Sequence, residues 1–334
     1  MTNLPAVSVI IPLYNAQNFI AECLDSLLIQ TFQDFEVIVV DDCSVDNSAK
    51  IVESYLEKFG GRLKLSRTKK NSGRPALPRN KGLNLSRGEY VFFMDNDDLL
   101  MPTALEEMYT LAKNYDAEVV YCEKHYVSDI SLKNIRLATS QQGNLIEKPT
   151  FESDFLSERL DKIMKYMFVV MPWTKFIRRD FLIEHEIIFP DIIRDDDIWT
   201  WSLVFYAKKF LRVPNAVYIW RNVENSITRV EKTPAQEINF WLNPVICGVK
   251  ILDKIMSRHE FFQKNPDSQY LMLGYFMEVS FTLLLEPSRE LTPFEFYDAI
   301  REKFSDELGE QGALIPLMCS FINAQQRLAD SRSN

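Results

Sequence analysis

Apolar residues in the first third of the chain follow two alternating rhythms. Continuous runs at 7–14 ("VSVIIPLY"), 35–42 ("FEVIVVDD"), 63–68, 90–94 ("YVFFM") and 117–123 predict buried strands. Between them the spacing turns helical. Phe19, Ile20, Cys23, Leu24, Leu27 and Leu28 mark one face of a helix over 16–30. A second helix, 47–59, has Asp46 as its cap and Gly60–Gly61 as its stop. Two more are predicted at 76–88, closed by Gly88, and at 102–115, where Pro102 suits a first turn. Strands separated by helices predict a parallel, doubly wound sheet, whose ligand crevice lies beyond the carboxyl ends of the strands.

Past residue 124 the rhythm changes. The mixed, polar stretch 124–150 predicts a loop or hairpin over the crevice. Farther on, Asp195, Asp196 and Asp197 run directly into an apolar helix. After 229 only helical spacing remains, at 235–262, 267–286, 292–308 and 311–328, so the chain divides into 1–230 and a helical region 231–334. Within the latter, 270–286 is the most apolar stretch, but Gly274 and Glu278 interrupt it. It reads as a buried helix, with a homodimer face or a peripheral membrane contact as its other uses.

Composition narrows the picture. A net charge of −9 argues against a nucleic-acid partner. Five cysteines without a CxxC pair suggest neither a disulfide scaffold nor a zinc site, which fits a reducing cytoplasm. The first fifteen residues lack the basic-then-apolar order of a signal peptide.

The crevice rule gathers residues far apart in sequence. Strand one ends at Pro12, Leu13, Tyr14 and Asn15, strand two at Asp41 and Asp42, and the strand 90–94 at Asp95, Asn96, Asp97 and Asp98. The loop 66–81 at the same edge carries Arg67, Lys69, Lys70, Arg74, Arg79 and Lys81. Carboxylates beside a basic loop suit a diphosphate ligand with a divalent cation.

With these segments in this order, the chain resembles a family 2 glycosyltransferase of GT-A fold over residues 7–229. The resemblance rests on "VSVIIPLYN", "VVDDCSVDNS", "GRPALPRNKGLNLSRGEYVFFMDNDD", "WTKFIRRDFL", "FPDIIRDDDIW" and "YIWRNVENSIT". It implies an α/β fold: a doubly wound mixed sheet with a Rossmann-like nucleotide-binding half, followed by the helical C-terminal region. It implies a UDP-sugar donor, with Pro12, Tyr14 and Asn15 beside the nucleoside, Asp41 on the uracil and Asp42 holding the basic loop. Arg79 would lie near the pyrophosphate, and Trp220 and Arg221 would reach back to it. Asp95 and Asp97 would be the Asp-x-Asp pair, with Asp97 the direct ligand of Mn²⁺ or Mg²⁺ and Asp95 on ribose or metal. Asn96 is longer than the small residue usual there, which implies a different donor pocket. Trp173, Lys175 and Trp199 are acceptor-side candidates, with a core position as the other reading of the two tryptophans.

The family pattern places an Asp base after Glu. Here the triplet makes Asp196 the best match, with Asp195 and Asp197 open by one register. A single displacement inverts the anomeric centre. The implied acceptor is a hydroxyl of a glycan, glycolipid or glycoprotein, at the cytoplasmic face. Two rivals stand beside this reading. One is a degenerate nucleotide- or carbohydrate-binding module. The other is an aspartyl phosphatase, which wants its Asp-x-Asp on the first strand and a Thr or Val where this chain has Leu99.

Overall fold

The computed structural model describes residues 4–139, 145–223, 232–243 and 247–288, with isolated positions up to 298. The helices expected at 292–308 and 311–328 lie outside the described residues. The chain forms two compact units, Met1–Asp191 with Asp195–Glu224, and Ile192–Arg194 with the residues from 225 on.

Among its described residues the first unit has twelve strands: β1 (Val7–Leu13), β2 (Phe35–Asp41), β3 (Leu63–Arg67), β4 (Tyr90–Phe93), β5 (Leu99–Leu100), β6 (Val119–Cys122), β7 (Lys124–Ser128), β8 (Ile135–Thr139), β9 (Thr150–Phe151), β10 (Lys175–Arg178), β11 (Phe210–Val213) and β12 (Tyr218–Arg221). Eight form the main sheet in the order β3-β2-β1-β4-β10-β6-β11-β9, and β5-β12-β7-β8 form a smaller one. Every residue of β1, β2 and β4 is buried, as expected of parallel strands covered on both faces. The helices are α1 (Ile20–Leu28), α2 (Ser48–Tyr55), α3 (Ala76–Leu85), α4 (Ala104–Asn114), α5 (Leu156–Met164), α6 (Arg179–Glu184) and α7 (Asp195–Tyr206). On α1, Ile20, Cys23, Leu24 and Leu27 are buried at the i, i+3, i+4, i+7 spacing that its sequence displays.

The sheet is not parallel throughout. β10 pairs antiparallel with both β4 and β6 and so sits between them. The polar stretch after 124 supplies the β7–β8 hairpin of the small sheet.

In the second unit, the stretch read as 235–262 is three helices: α8 (Pro234–Asn243), α9 (Val249–Ser257) and α10 (Glu260–Lys264). The fourth, α11 (Pro266–Ser288), carries Ser280, which accepts a hydrogen bond from Arg194 (2.9 Å). Among the described residues no helix is long and apolar enough to cross a membrane.

Helix α3 approaches β1 unusually closely. A Cβ on Gly82 would lie 2.3 Å from Cγ2 of Ile10, a fully buried β-branched side chain. Only glycine lets the helix rest there, which fixes where Arg79, one turn earlier, points. Gly82→Ala should therefore lower unfolding stability by about 1–3 kcal/mol, the usual range for overpacking a core. The shift of a denaturant midpoint measures it, and an unchanged midpoint would refute this packing account.

Candidate active site

The carboxyl ends of β1, β2 and β4 converge, and each brings its own polar residues. At the end of β2, Asp42 is 3% exposed. It accepts hydrogen bonds from the Thr68 hydroxyl (2.7 Å), the Ser72 hydroxyl (2.7 Å) and the Ser72 N–H (2.8 Å), and so ties down the start of the basic loop. Asp41, also buried, accepts from the Ser44 N–H (2.9 Å) and pairs with Arg67 at 3.2 Å. At the end of β1, Tyr14 is 44% exposed, whereas Pro12 is buried. Asn15 adopts a left-handed φ of +46°. Its N–H donates to the Ser44 hydroxyl (3.0 Å) and its side-chain oxygen accepts from the Val45 N–H (2.9 Å).

The turn after β4 is pinned from three directions. The Asn96 amide donates to the Pro12 carbonyl (2.8 Å), so its extra length is spent tethering the turn to β1. The Tyr218 hydroxyl accepts from the Asp95 N–H (3.0 Å) and donates to Asp98 (2.8 Å). The Arg221 N–H donates to the other oxygen of Asp98 (2.7 Å). Asp98 is 1% exposed, and burial, then the charges of Asp97 and Asp95, raise its pKa well above the usual range. Nothing in the sequence singled out the Tyr218–Asp98 pair, because it depends on a strand pairing 120 residues away.

At the centre of the site is Arg79. Its guanidinium is 4% exposed and lies 5.0 Å from the Phe189 ring. One terminal nitrogen donates to Asp95 (2.9 Å) and the other to Asp196 (3.0 Å), with Asp195 at 3.5 Å. Burial alone would lower the pKa of Arg79, but Asp196, Asp95 and Asp195 more than reverse that. The structure thus turns Arg79 toward carboxylates, Asp95 of the Asp-x-Asp pair among them.

The acidic triplet opens α7. Asp196 has 34% of its side chain exposed and Asp195 14%. Asp195 is pushed up to about 6, chiefly by burial, with Arg79 opposing. Asp196 is raised too, by burial first and then by Asp195. Of these two, Asp196 is the more open carboxylate.

Several acceptor-side expectations are corrected. Trp199 is fully buried, stacked on Phe189 (4.3 Å between centroids) and edge-on to Phe93 (5.5 Å). Trp173 stacks on Tyr218 at 4.5 Å and is 5% exposed. Lys175 is 1% exposed and bonded to backbone oxygens. All three are interior because their aromatic or aliphatic bulk fills the space beneath the site. Arg221 is likewise enclosed, 2% exposed and paired with Glu22 at 2.5 Å, so it does not reach a diphosphate in this arrangement.

Asp95 and Asp97 offer oxygen donors. Among the described residues no three His, Cys, Asp or Glu side chains converge on one point. Burial, then the neighbouring Asp95, pushes Asp97 up to about 6, with Arg221 opposing. Such a donor set suits an ion of the magnesium or manganese type, which takes one or two carboxylates and completes its shell with phosphates and water.

The family model "Glycosyl transferase family 2" matches residues 8–185. A poly(ribitol-phosphate) beta-glucosyltransferase from Bacillus spizizenii is 33% identical over 208 residues. That alignment covers 61% of this chain and only 30% of the relative's own length. A cholesterol galactosyltransferase from Borreliella burgdorferi is 30% identical across 91% of this chain and 82% of its own. Among solved structures, TarS 1–349 from Staphylococcus aureus in complex with UDP-GlcNAc superposes with a TM-score of 0.65 at 23% identity, over 96% of this chain and 88% of that one. The α/β mixed sheet with a helical C-terminal region is therefore the expected GT-A architecture.

Removing the Arg79 cation should be costly. Arg79→Met strands three carboxylates, and breaking a buried pair by removing one partner costs about 3–5 kcal/mol. The sign with pH follows. Without the cation these carboxyls titrate at higher pH folded than unfolded, so the deficit is full above those values and shrinks as pH falls through them. Urea unfolding should show a smaller deficit at about pH 5 than at about pH 8; a pH-independent deficit would contradict the charge argument.

Proposed function

The chain belongs to glycosyl transferase family 2, and on that premise we propose a specific reaction. It moves a hexose or N-acetylhexosamine from a UDP-sugar to a hydroxyl of a glycan, glycolipid or glycoprotein acceptor, with inversion and with a divalent cation. One observation carries this reading: a single buried guanidinium gathers Asp95, from the turn after β4, and Asp196, from the start of α7. The first belongs where the donor diphosphate would lie, the second where an acceptor would approach.

The chemistry is a single displacement. The acceptor oxygen forms a bond to the anomeric carbon as the bond from that carbon to the diphosphate oxygen breaks. The acceptor hydroxyl loses its proton to Asp196, a service typically worth about 10²–10⁴-fold. The electron pair leaves with the nucleoside diphosphate. A divalent cation, when bound, supplies Lewis-acid stabilisation of that leaving charge, and Asp97 with Asp95 would hold it. Attack from the face opposite the leaving group turns an α-linked donor into a β-linked product. Tyr14 and Asn15 at the end of β1, with Asp41 at the end of β2, would receive the nucleoside, and the loop held by Asp42 would bring its cations to the phosphates.

The aspartyl phosphatase alternative loses its basis with the family match, and the Asp-x-Asp pair follows β4, not β1. For the helical region, exposed Tyr270, Leu271 and Met277 on α11 support a role in self-association or at the cytoplasmic face of a membrane.

Calorimetric titration with UDP tests the donor side. Binding should require Mn²⁺ or Mg²⁺, vanish with chelator, and lose its metal-dependent part in Asp97→Ala. Metal-independent binding would remove the cation from the proposal, and no binding at all would remove the uridine donor. For the base, Asp196→Asn should bind UDP within about twofold of wild type while transfer falls about 10²–10⁴-fold. Because Asp196 is raised, wild-type turnover should fall off on the acid side above the ordinary aspartate range, which a pH–rate profile reads directly. Survival of transfer in this variant, with loss in Asp197→Asn, would move the base by one residue.

A further inference from the structure

The interior cation at the start of β10 takes no part in the displacement itself. Lys175 is 1% exposed, yet its ammonium is fully engaged. It donates to the carbonyls of Val169 (2.6 Å) and Met171 (2.9 Å) and to the hydroxyl of Thr174 (3.3 Å). The carbonyl between the first two, that of Val170, accepts from the Thr200 hydroxyl on α7 (2.8 Å). The segment 169–171 is thus fastened alternately to β10 and to α7. The ammonium also lies 5.9 Å from the ring centroid of Trp199.

Both of these α7 partners sit below the base. Asp196, Trp199 and Thr200 stand at i, i+3 and i+4, the spacing that places side chains on one helix face. A lysine held under Trp199 and linked through 169–171 to Thr200 therefore fixes the helix turn that presents Asp196.

The charge count points the same way. Asp196 is surrounded by Asp195 and Asp197 on its own helix, by Asp95 on the turn after β4, and by Arg79 on α3. Three of these four carboxylates, Asp95, Asp195 and Asp196, share one guanidinium. Lys175 on β10 is a second cation close by, its ammonium against the ring of Trp199, one turn along α7 from Asp196, and within electrostatic reach of Asp196 and Asp197. Burial pulls Lys175 down to about 7, and those two aspartates work to keep it protonated.

We propose that Lys175 is a positioning residue for the base, fixing the first turns of α7 through 169–171 and Thr200 and supplying the second positive charge of the carboxylate cluster. The proposal rests on the reading of Asp196 as base, and its test separates the two. A purely structural lysine would hold carbonyls and do nothing to the proton chemistry.

The experiment measures pH–rate profiles for hydrolysis of UDP-glucose and UDP-N-acetylglucosamine, with water as acceptor, in wild type and three variants. Lys175→Met and Lys175→Gln remove the charge, and Gln keeps a hydrogen-bond donor in case Met fails to fold. Thr200→Val removes only the tether. Both Lys175 variants should move the acid limb of kcat upward by about half a pH unit or more, with KM within about twofold. Thr200→Val should lower kcat by about tenfold through misplacement of the base while leaving the limb where it was. A limb unmoved in whichever Lys175 variant folds overturns the charge role. A Thr200→Val enzyme with wild-type kcat, or with a shifted limb, overturns the positioning role. Absence of turnover in wild type with both donors would instead strike at the donor assignment.

Discussion

The catalytic unit depends on one electrostatic arrangement: a buried guanidinium with carboxylates from two distant parts of the chain around it. Asp95 and Asp196 are 101 positions apart in sequence, yet both bond to Arg79. Like charges at this range would repel, and their burial would cost far more without a cation among them. Arg79 suits the place because its fork has separate nitrogens for each partner and its flat face can lie against Phe189. Its position follows in turn from a bare backbone at Gly82, where α3 rests on β1. The path from glycine to helix position to charge balance is short, and each step is steric or Coulombic.

Around that centre the sheet acts as a collecting device. Strands β2, β1 and β4 are neighbours and parallel, so their ends open on one edge. Antiparallel β10 enters beside β4 and brings Lys175 beneath the same edge from the opposite direction. The small sheet contributes β12, whose Tyr218 and Arg221 reach the turn after β4. Elements from residue 12 to residue 221 thus meet over a few ångströms.

Much of this was legible in the sequence. Period and run length revealed the strands and helices up to 123, apart from the two-residue β5, because buried parallel strands and amphipathic helices leave strong local signatures. Strand-end carboxylates followed from topology alone. The antiparallel β10 was not visible, since pairing direction is set by partners far along the chain. Lys175, Trp199 and Arg221 were assigned to ligands through the family resemblance, yet each is enclosed. A lysine, a tryptophan or an arginine carries enough apolar bulk to serve a core, and only three-dimensional packing distinguishes that use. Asn96 departed from the family's usual small residue and suggested an altered pocket; its amide instead spans to Pro12.

That tether, with the Tyr218 and Arg221 bonds on either side of it, would lower the entropic cost of binding the proposed donor. The turn that carries Asp95 and Asp97 is held entirely by the protein's own groups, none of which a donor need supply. Fixing a residue's backbone costs about 1–2 kcal/mol. For this turn that cost is met when the chain folds, so a donor of the kind proposed would meet an acidic corner already in place and keep more of its contact energy as affinity.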